Sequence, residues 1–227
     1  FNHPNVGPLI GRQLIQRLVT SSPSPAYVDR VSAAFANNGR GVRGDLKAVL
    51  RAVLMHAEAR QVNAARSDNG YGKLREPVLR FTQWARAAKA NSASGQWRLG
   101  NLSDPAARLG QSPLRSPSVF NFYRPGYVPP NTSIAIASRV APEFQITTES
   151  SVAGYLNFMQ SAIATTTGVN GTDVVPDYSA WLPLATEPAA LTDQANLVLA
   201  AGQLPVARVT LIREAVAAMA SASDTDK

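Results

Sequence analysis

From residue 6 to about residue 90, apolar side chains return every three or four positions, the spacing that lines one face of an α-helix. In the first segment Val6, Leu9, Ile10, Leu14, Leu18 and Val19 fall along one side, with Arg12, Gln16 and Arg17 off it. Ser24-Pro25 then supplies an N-cap and a first-turn proline, Val28, Val31 and Phe35 continue a stripe, and Asn38-Gly39 ends it. After the Gly-rich connection 38–44, Asp45 sits where a carboxylate favours a helix start. Leu46, Val49, Leu50, Val53 and Leu54 predict a third helix reaching about Glu58. Residues 60–72 read as loop, and a fourth helix is predicted from near Lys73 to Ala90 with Pro77 in its first turn.

From Asn91 to Pro142 the periodicity weakens, Gly, Ser and Pro become frequent, and Phe120, Phe122, Tyr123 and Tyr127 crowd together. A loop of this length must be anchored or functional, because ordering it without burial costs entropy. Two readings stand: the rings seal a helical bundle, or the loop presents Tyr123, Arg124 and Tyr127 to a partner. Helical spacing returns with Val152, Tyr155, Leu156, Met159 and Ile163. Two further helices are predicted, one over Leu191–Ala201 and one from Pro205 with Val206, Val209, Ile212, Val216 and Met219 on its stripe. No convincing strand alternation and no repeat of 20–50 residues occurs. The pattern predicts an all-α chain, an irregular bundle of about six or seven helices with a long aromatic-rich loop. One helical domain is expected, divided into a basic part (1–90), the loop (91–142) and an acidic part (143–227).

Composition sharpens this picture in two ways. The 227 residues contain no Cys and two His, so thiolate chemistry, zinc fingers and iron–sulfur clusters are excluded, and no metal site or cofactor is indicated. Charge is also segregated: residues 1–98 carry 15 Lys and Arg against 5 Asp and Glu, whereas 140–227 carry 3 against 9. Of the 22 basic residues, 18 are Arg, which suits bidentate pairing with carboxylates more than loose polyelectrolyte contact. The arginines are scattered singly, so no nucleic-acid arm is predicted. No run of 18 apolar residues exists to span a membrane.

Candidate chemistry is sparse. His56, at the end of the third helix, is expected to cap it, and His3 to belong to a helix start. No G-x-S-x-G, G-x-G-x-x-G or Walker-type loop is present. Glu143 and Glu149 form the one close carboxylate pair in an aromatic-rich setting, and Glu149 sits where it would stabilise helix N–H groups. In Gly72-Lys73-Leu74-Arg75-Glu76-Pro77, an Arg near a helix start opposes the dipole, so Arg75 is expected to pair with Glu143 or Glu149.

Several blocks together carry a family resemblance. They are Asn2-His3-Pro4-Asn5, Arg12-Gln13-Leu14-Ile15-Gln16-Arg17-Leu18-Val19, Pro23 to Val28, Arg43-Gly44-Asp45-Leu46-Lys47-Ala48-Val49, Gly72 to Pro77, Pro117-Ser118-Val119-Phe120-Asn121-Phe122-Tyr123-Arg124-Pro125, and Pro142 to Ile146. In this order they resemble the rear portion of the bacterial family called domain of unknown function 1800. The resemblance implies a longer parent protein of which this chain is an internal piece. It also implies export to the periplasm or beyond, and a sulfatase- or phosphatase-like neighbour, domain of unknown function 1501, as partner. It implies no catalytic residues. Within the matching blocks, Arg75, Glu76, Asn121, Tyr123, Arg124 and Glu143 are polar positions that packing explains poorly, and these six are the candidate site. The expected function is an exported helical component that binds a partner protein or polymer through its basic face and aromatic loop. The alternatives are a hydrolase or polymer-modifying enzyme with a carboxylate/arginine site, and a structural subunit of a surface assembly.

Overall fold

The computed structural model describes residues 1–60, 70–164 and 173–219. Helices carry the fold, and the chain is all-α. Among the described residues the β-structure is limited to the two-residue antiparallel pair Asn91–Ser92 with Val174–Val175, which alternation over so short a length could not reveal. The chain divides into two compact units whose segments interleave: Phe1–Glu76 with Pro113–Glu149, and Pro77–Ser112 with Ser150–Lys227.

In the first unit, α1 (Val6–Leu18), α2 (Pro25–Ala36) and α3 (Leu46–Met55) pack around Ile15, Tyr27, Val28, Val31, Phe35, Val49 and Val53. Full burial of each such aliphatic side chain is worth about 1.5–3 kcal/mol. Of the apolar stripe expected along α1, Val6, Ile10, Leu14 and Val19 pack against this core, but the fully buried positions lie to one side of it. Gly7, Gly11, Ile15 and Gln16 are inside, while Leu9 and Leu18 are exposed. A Cβ at Gly11 would stand 3.0 Å from Val31 Cγ1, and one at Gly7 would stand 2.9 Å from Ser32 Oγ. The two glycines therefore set how closely α1 approaches α2. As expected, Ser24 Oγ accepts the Tyr27 N–H and Pro25 fills the first turn of α2.

Asp45 caps α3 by accepting the Lys47 and Ala48 N–H groups, and α3 buries Val49 and Val53 but leaves Leu46, Leu50 and Leu54 exposed. It ends at Met55 rather than Glu58. His56 is the C-cap, its Nδ1 accepts the Glu58 N–H, and one further turn, α4 (Ala57–Arg60), follows. His3 lies at a helix start, where its Nδ1 accepts the Asn5 N–H. The unit also holds the short α6 (Ser133–Ile136) and a 3-10 turn over Pro142–Ile146.

In the second unit, α5 (Pro77–Ala87) begins at Pro77, because residues 73–76 serve other contacts described below. With α7 (Glu149–Ala164) it closes a core of Phe81, Trp84, Ala88, Leu102, Leu109, Phe158, Met159 and Ala162. Of the stripe expected here, Met159 is buried and Tyr155 packs against the core. Gly154 faces inward, where a Cβ would lie 2.4 Å from the Pro105 carbonyl oxygen, and Val152, Leu156 and Ile163 are left exposed. A 3-10 turn over Leu182–Leu184 leads to the hairpin α8 (Pro188–Ala200) and α9 (Val206–Ala217). Its turn passes through Ala201 and Gly202, both with positive φ. α9 has no buried residue, so the stripe expected along it is not a core face.

Candidate functional site

Three of the six candidate residues converge, and they do so around the C-terminal end of α1. The last carbonyls of a helix lack intrahelical partners. Here the Lys73 ammonium donates to the Gln16 and Arg17 carbonyl oxygens at 3.1 and 3.0 Å, which places a cation at the negative end of the helix dipole. The same ammonium lies 3.4 Å from Glu143 Oε1, and Glu143 Oε2 accepts the Ser21 hydroxyl at 2.8 Å. Glu143 is 2 % exposed. A carboxylate so buried needs a counter-charge and hydrogen bonds to offset its lost hydration, and this one has both.

Thr20, Ser21 and Gly72 tie the segment carrying Lys73 to the end of α1. The Thr20 hydroxyl and the Ser21 N–H both donate to the Gly72 carbonyl, and the Gly72 N–H donates back to Thr20 Oγ1. Gln16, buried although it lies off the apolar stripe, donates to the Ser21 and Pro125 carbonyls. That second bond fixes the segment bearing Tyr123.

Tyr123 is 3 % exposed, so of the two readings of the aromatic loop, sealing applies to this ring. Its hydroxyl accepts from Arg17 and donates to Glu76, and the Arg17 guanidinium lies over the ring, 4.6 Å from the centroid. Arg17 also pairs with Glu76 at 3.3 Å. Burial, reinforced by donation to the Glu76 carboxylate, pushes the Tyr123 phenol well above its ordinary pKa. It is a fixed hydrogen-bond donor and not a base. The neighbouring cavity, bordered by Gln16, Tyr123 and Glu143, has a volume of about 20 Å³, room for one water molecule and too small for a substrate.

The other three candidates lie elsewhere. Arg75 is exposed, and the cation on Glu143 is Lys73, so the expected Arg75 pairing with Glu143 is replaced by one two positions earlier in the same block. Arg124 is exposed and contributes its backbone N–H to Gln145 Oε1 at 2.8 Å. Asn121 is exposed at φ 68° in a turn whose N–H returns to Ser118, a position where Asn is among the residues that tolerate the left-handed region. Arg17, Gln16, Ser21 and Lys73 are the members that the sequence reading missed. Gln16, Arg17 and Ser21 are polar positions around a helix end, which are indistinguishable from a solvated face until the segment bearing Lys73 is in place.

A second feature of the first unit has a different character. Between α2 and α3 lies an open cleft of about 610 Å³, within the range of ligand pockets. Its walls are one face of each helix: Arg30, Ala33 and Ala34 from α2, followed by its C-cap Asn37, and Ala48, Arg51, Ala52 and Met55 from α3. Both sets follow the spacing i, i+3, i+4, i+7, so each is a single stripe. The short alanine side chains leave the space between the walls unfilled, and His56 closes one end while stacking on Tyr27 with centroids 4.1 Å apart. The Tyr27 phenol, pushed up to about 12 mainly by burial, donates to the Val53 carbonyl and stays neutral.

At the other end Asn37 and Asn38 brace the Gly-rich loop. Their side-chain oxygens accept the N–H groups of Gly39 and Gly41, and of Arg40 and Val42. Asn38 also donates to Asp45, which with the α3 N–H groups holds that carboxyl below its usual range. Among the described residues the charged side chains lining the cleft are Arg30 and Arg51, and no carboxylate is among them.

Among the described residues no group of three His, Cys, Asp or Glu is arranged to hold a metal ion, and no helix is long and apolar enough to cross a membrane. The arrangement defines a helical protein with a sealed ion-pair network and an open cationic cleft. The chain belongs to the family described as "Protein of unknown function (DUF1800)", whose profile it matches over residues 1–227. No curated protein and no solved structure matches it.

Proposed function

We propose that this chain is a binding component that docks an acidic segment of a partner protein in the cleft between α2 and α3. The observation that carries the reading is the cleft's chemistry: two arginines beside alanines of the walls, with no carboxylate among the described lining residues. A track for nucleic acid or another polyanion needs a succession of cations. Two cations flanking small apolar residues and Met55 suit instead a segment that brings carboxylates together with short apolar side chains. Export, and a sulfatase- or phosphatase-like neighbour as the source of that segment, belong to the same proposal. The hydrolase alternative gains nothing from Glu143 and Tyr123, since the carboxylate is paired and covered and the phenol is held as a donor.

The test is titration of a fluorescent acidic peptide, alternating Glu with Ala, followed by anisotropy. Saturable binding is expected, weakening as salt rises. Arg30→Ala and Arg51→Ala should each reduce affinity about fivefold, the scale of a partly exposed charge contact near 1 kcal/mol. Arg124→Ala, outside the cleft, should have no effect. Binding that is equally sensitive to Arg124 and insensitive to Arg30 and Arg51 refutes the cleft as the site.

A further inference from the structure

The α8–α9 hairpin offers an inference independent of the cleft. A helix of 12 residues is marginal in water unless tertiary packing supports it, and α9 obtains little: no residue in it is buried. On the side bearing Val209, Arg213 and Val216 its residues are half-buried, and Arg213 pairs with Asp193 of α8 at 3.1 Å. The opposite side carries Leu211, 56 % exposed, with Ala207, Ala215 and Ala218, and Ile212 lies beside it. A helix that is apolar on both sides is a helix covered on both sides.

The charges on α9 say what covers it. Arg213 is consumed within the hairpin, leaving Arg208 and Glu214, both exposed, three positions before and three after Leu211. They flank that leucine symmetrically with opposite sign. In an antiparallel pairing with a twofold axis at Leu211, Arg208 of each copy comes level with Glu214 of the other, and symmetry makes the contact twice. A parallel pairing would set Arg208 level with Arg208 and Glu214 with Glu214, like charges that repel. The alanines on either side of Leu211 let the two helices approach closely.

We infer that the outer face of α9 is a self-association surface, on which a second copy of this chain packs antiparallel about Leu211. The residues separated by six positions do not touch within one helix, so exchanging their charges reads only the contact between copies.

The experiment is sedimentation velocity on the full chain over a concentration series, with helicity checked by circular dichroism. The wild-type chain should show a reversible monomer–dimer equilibrium. Arg208→Glu and Glu214→Arg should each weaken it by at least about tenfold, since each replaces two opposite-charge contacts with like-charge ones. The double variant Arg208→Glu/Glu214→Arg should regain the wild-type dimer, and an equimolar mixture of the two single variants should form a heterodimer. A chain that stays monomeric overturns the inference. So do single variants that dimerise as well as wild type, or a double variant that stays weak. None of these outcomes touches the peptide titration at Arg30 and Arg51.

Discussion

Replacing Lys73 with Met removes a charge while nearly keeping the volume of the side chain, and the structure says what is left behind. Glu143, 2 % exposed, loses the cation 3.4 Å from its Oε1 and keeps only the Ser21 hydroxyl. At the same time the Gln16 and Arg17 carbonyls lose the donor that satisfies the end of α1. Stripping one partner from a buried pair costs about 3–5 kcal/mol. The Lys73 side chain is 15 % exposed and its contact to the carboxylate is longer than a tight charge-assisted bond, so the lower end, about 3 kcal/mol, is the expected cost.

The sign of a second substitution makes the reasoning specific. Glu143→Gln, placed on top of Lys73→Met, removes the uncompensated charge and retains an acceptor for Ser21. It should therefore recover about 1–2 kcal/mol instead of adding to the damage. The assay is urea unfolding followed by far-UV circular dichroism. Trp84, Trp97 and Trp181 all belong to the other unit, so tryptophan fluorescence does not report this one. A cost for Lys73→Met below about 1 kcal/mol, or a double variant as destabilised as the sum of the two singles, would refute a buried, mutually dependent pair.

Two further outcomes follow from other parts of the chain. Gly11→Leu should destabilise the first unit by about 2 kcal/mol or more in the same urea assay, because even a Cβ there stands 3.0 Å from Val31 and α1 must move off α2. Wild-type stability would show that the helices have room to spare. Asp173 accepts from the Ser92 and Ser94 hydroxyls and from the Ser94 and Arg98 N–H groups, and these bonds hold its carboxyl well below the usual range. A carboxyl whose folded-state pKa is depressed adds stability that is complete above the ordinary carboxylate pKa and is lost as pH falls through the lowered value. Hydrogen exchange at Ser94 and Arg98 should therefore stay protected at pH near 4 and open only under strongly acidic conditions. Asp173→Asn should open both amides at neutral pH, and unchanged protection in that variant would show that Asp173 does not hold the turn.

Some of this was legible in the chain of letters because it is local. The helix spacing, the Ser24-Pro25 cap, the Asp45 start and the His56 stop are set by backbone geometry and by groups within a few residues, and the structure has each of them. The facing of the helices was less legible. Leu9, Leu18, Leu46, Leu50 and Leu54 stay exposed, while α1 turns its glycines inward, because close approach of two backbones buries more of Val31 and Phe35 than a leucine between them would allow. The cleft was written in the sequence as two small-residue stripes with one Arg each, a pattern that has no meaning until the two helices stand side by side.

The sequence by itself determined that this protein is helical, where several helices begin and end, that charge is segregated along it, and that thiolate chemistry is closed to it. Tertiary structure alone decided which cation answers Glu143, which aromatic of the loop is sealed, and which helix faces remain open. The reason is one of range. Hydrogen bonds between near neighbours and the 3.6-residue period act within a few positions of the chain. The energy of a buried charge, by contrast, depends on groups such as Ser21, Lys73 and Glu143, which are far apart in sequence and meet only once the fold has excluded water from between them.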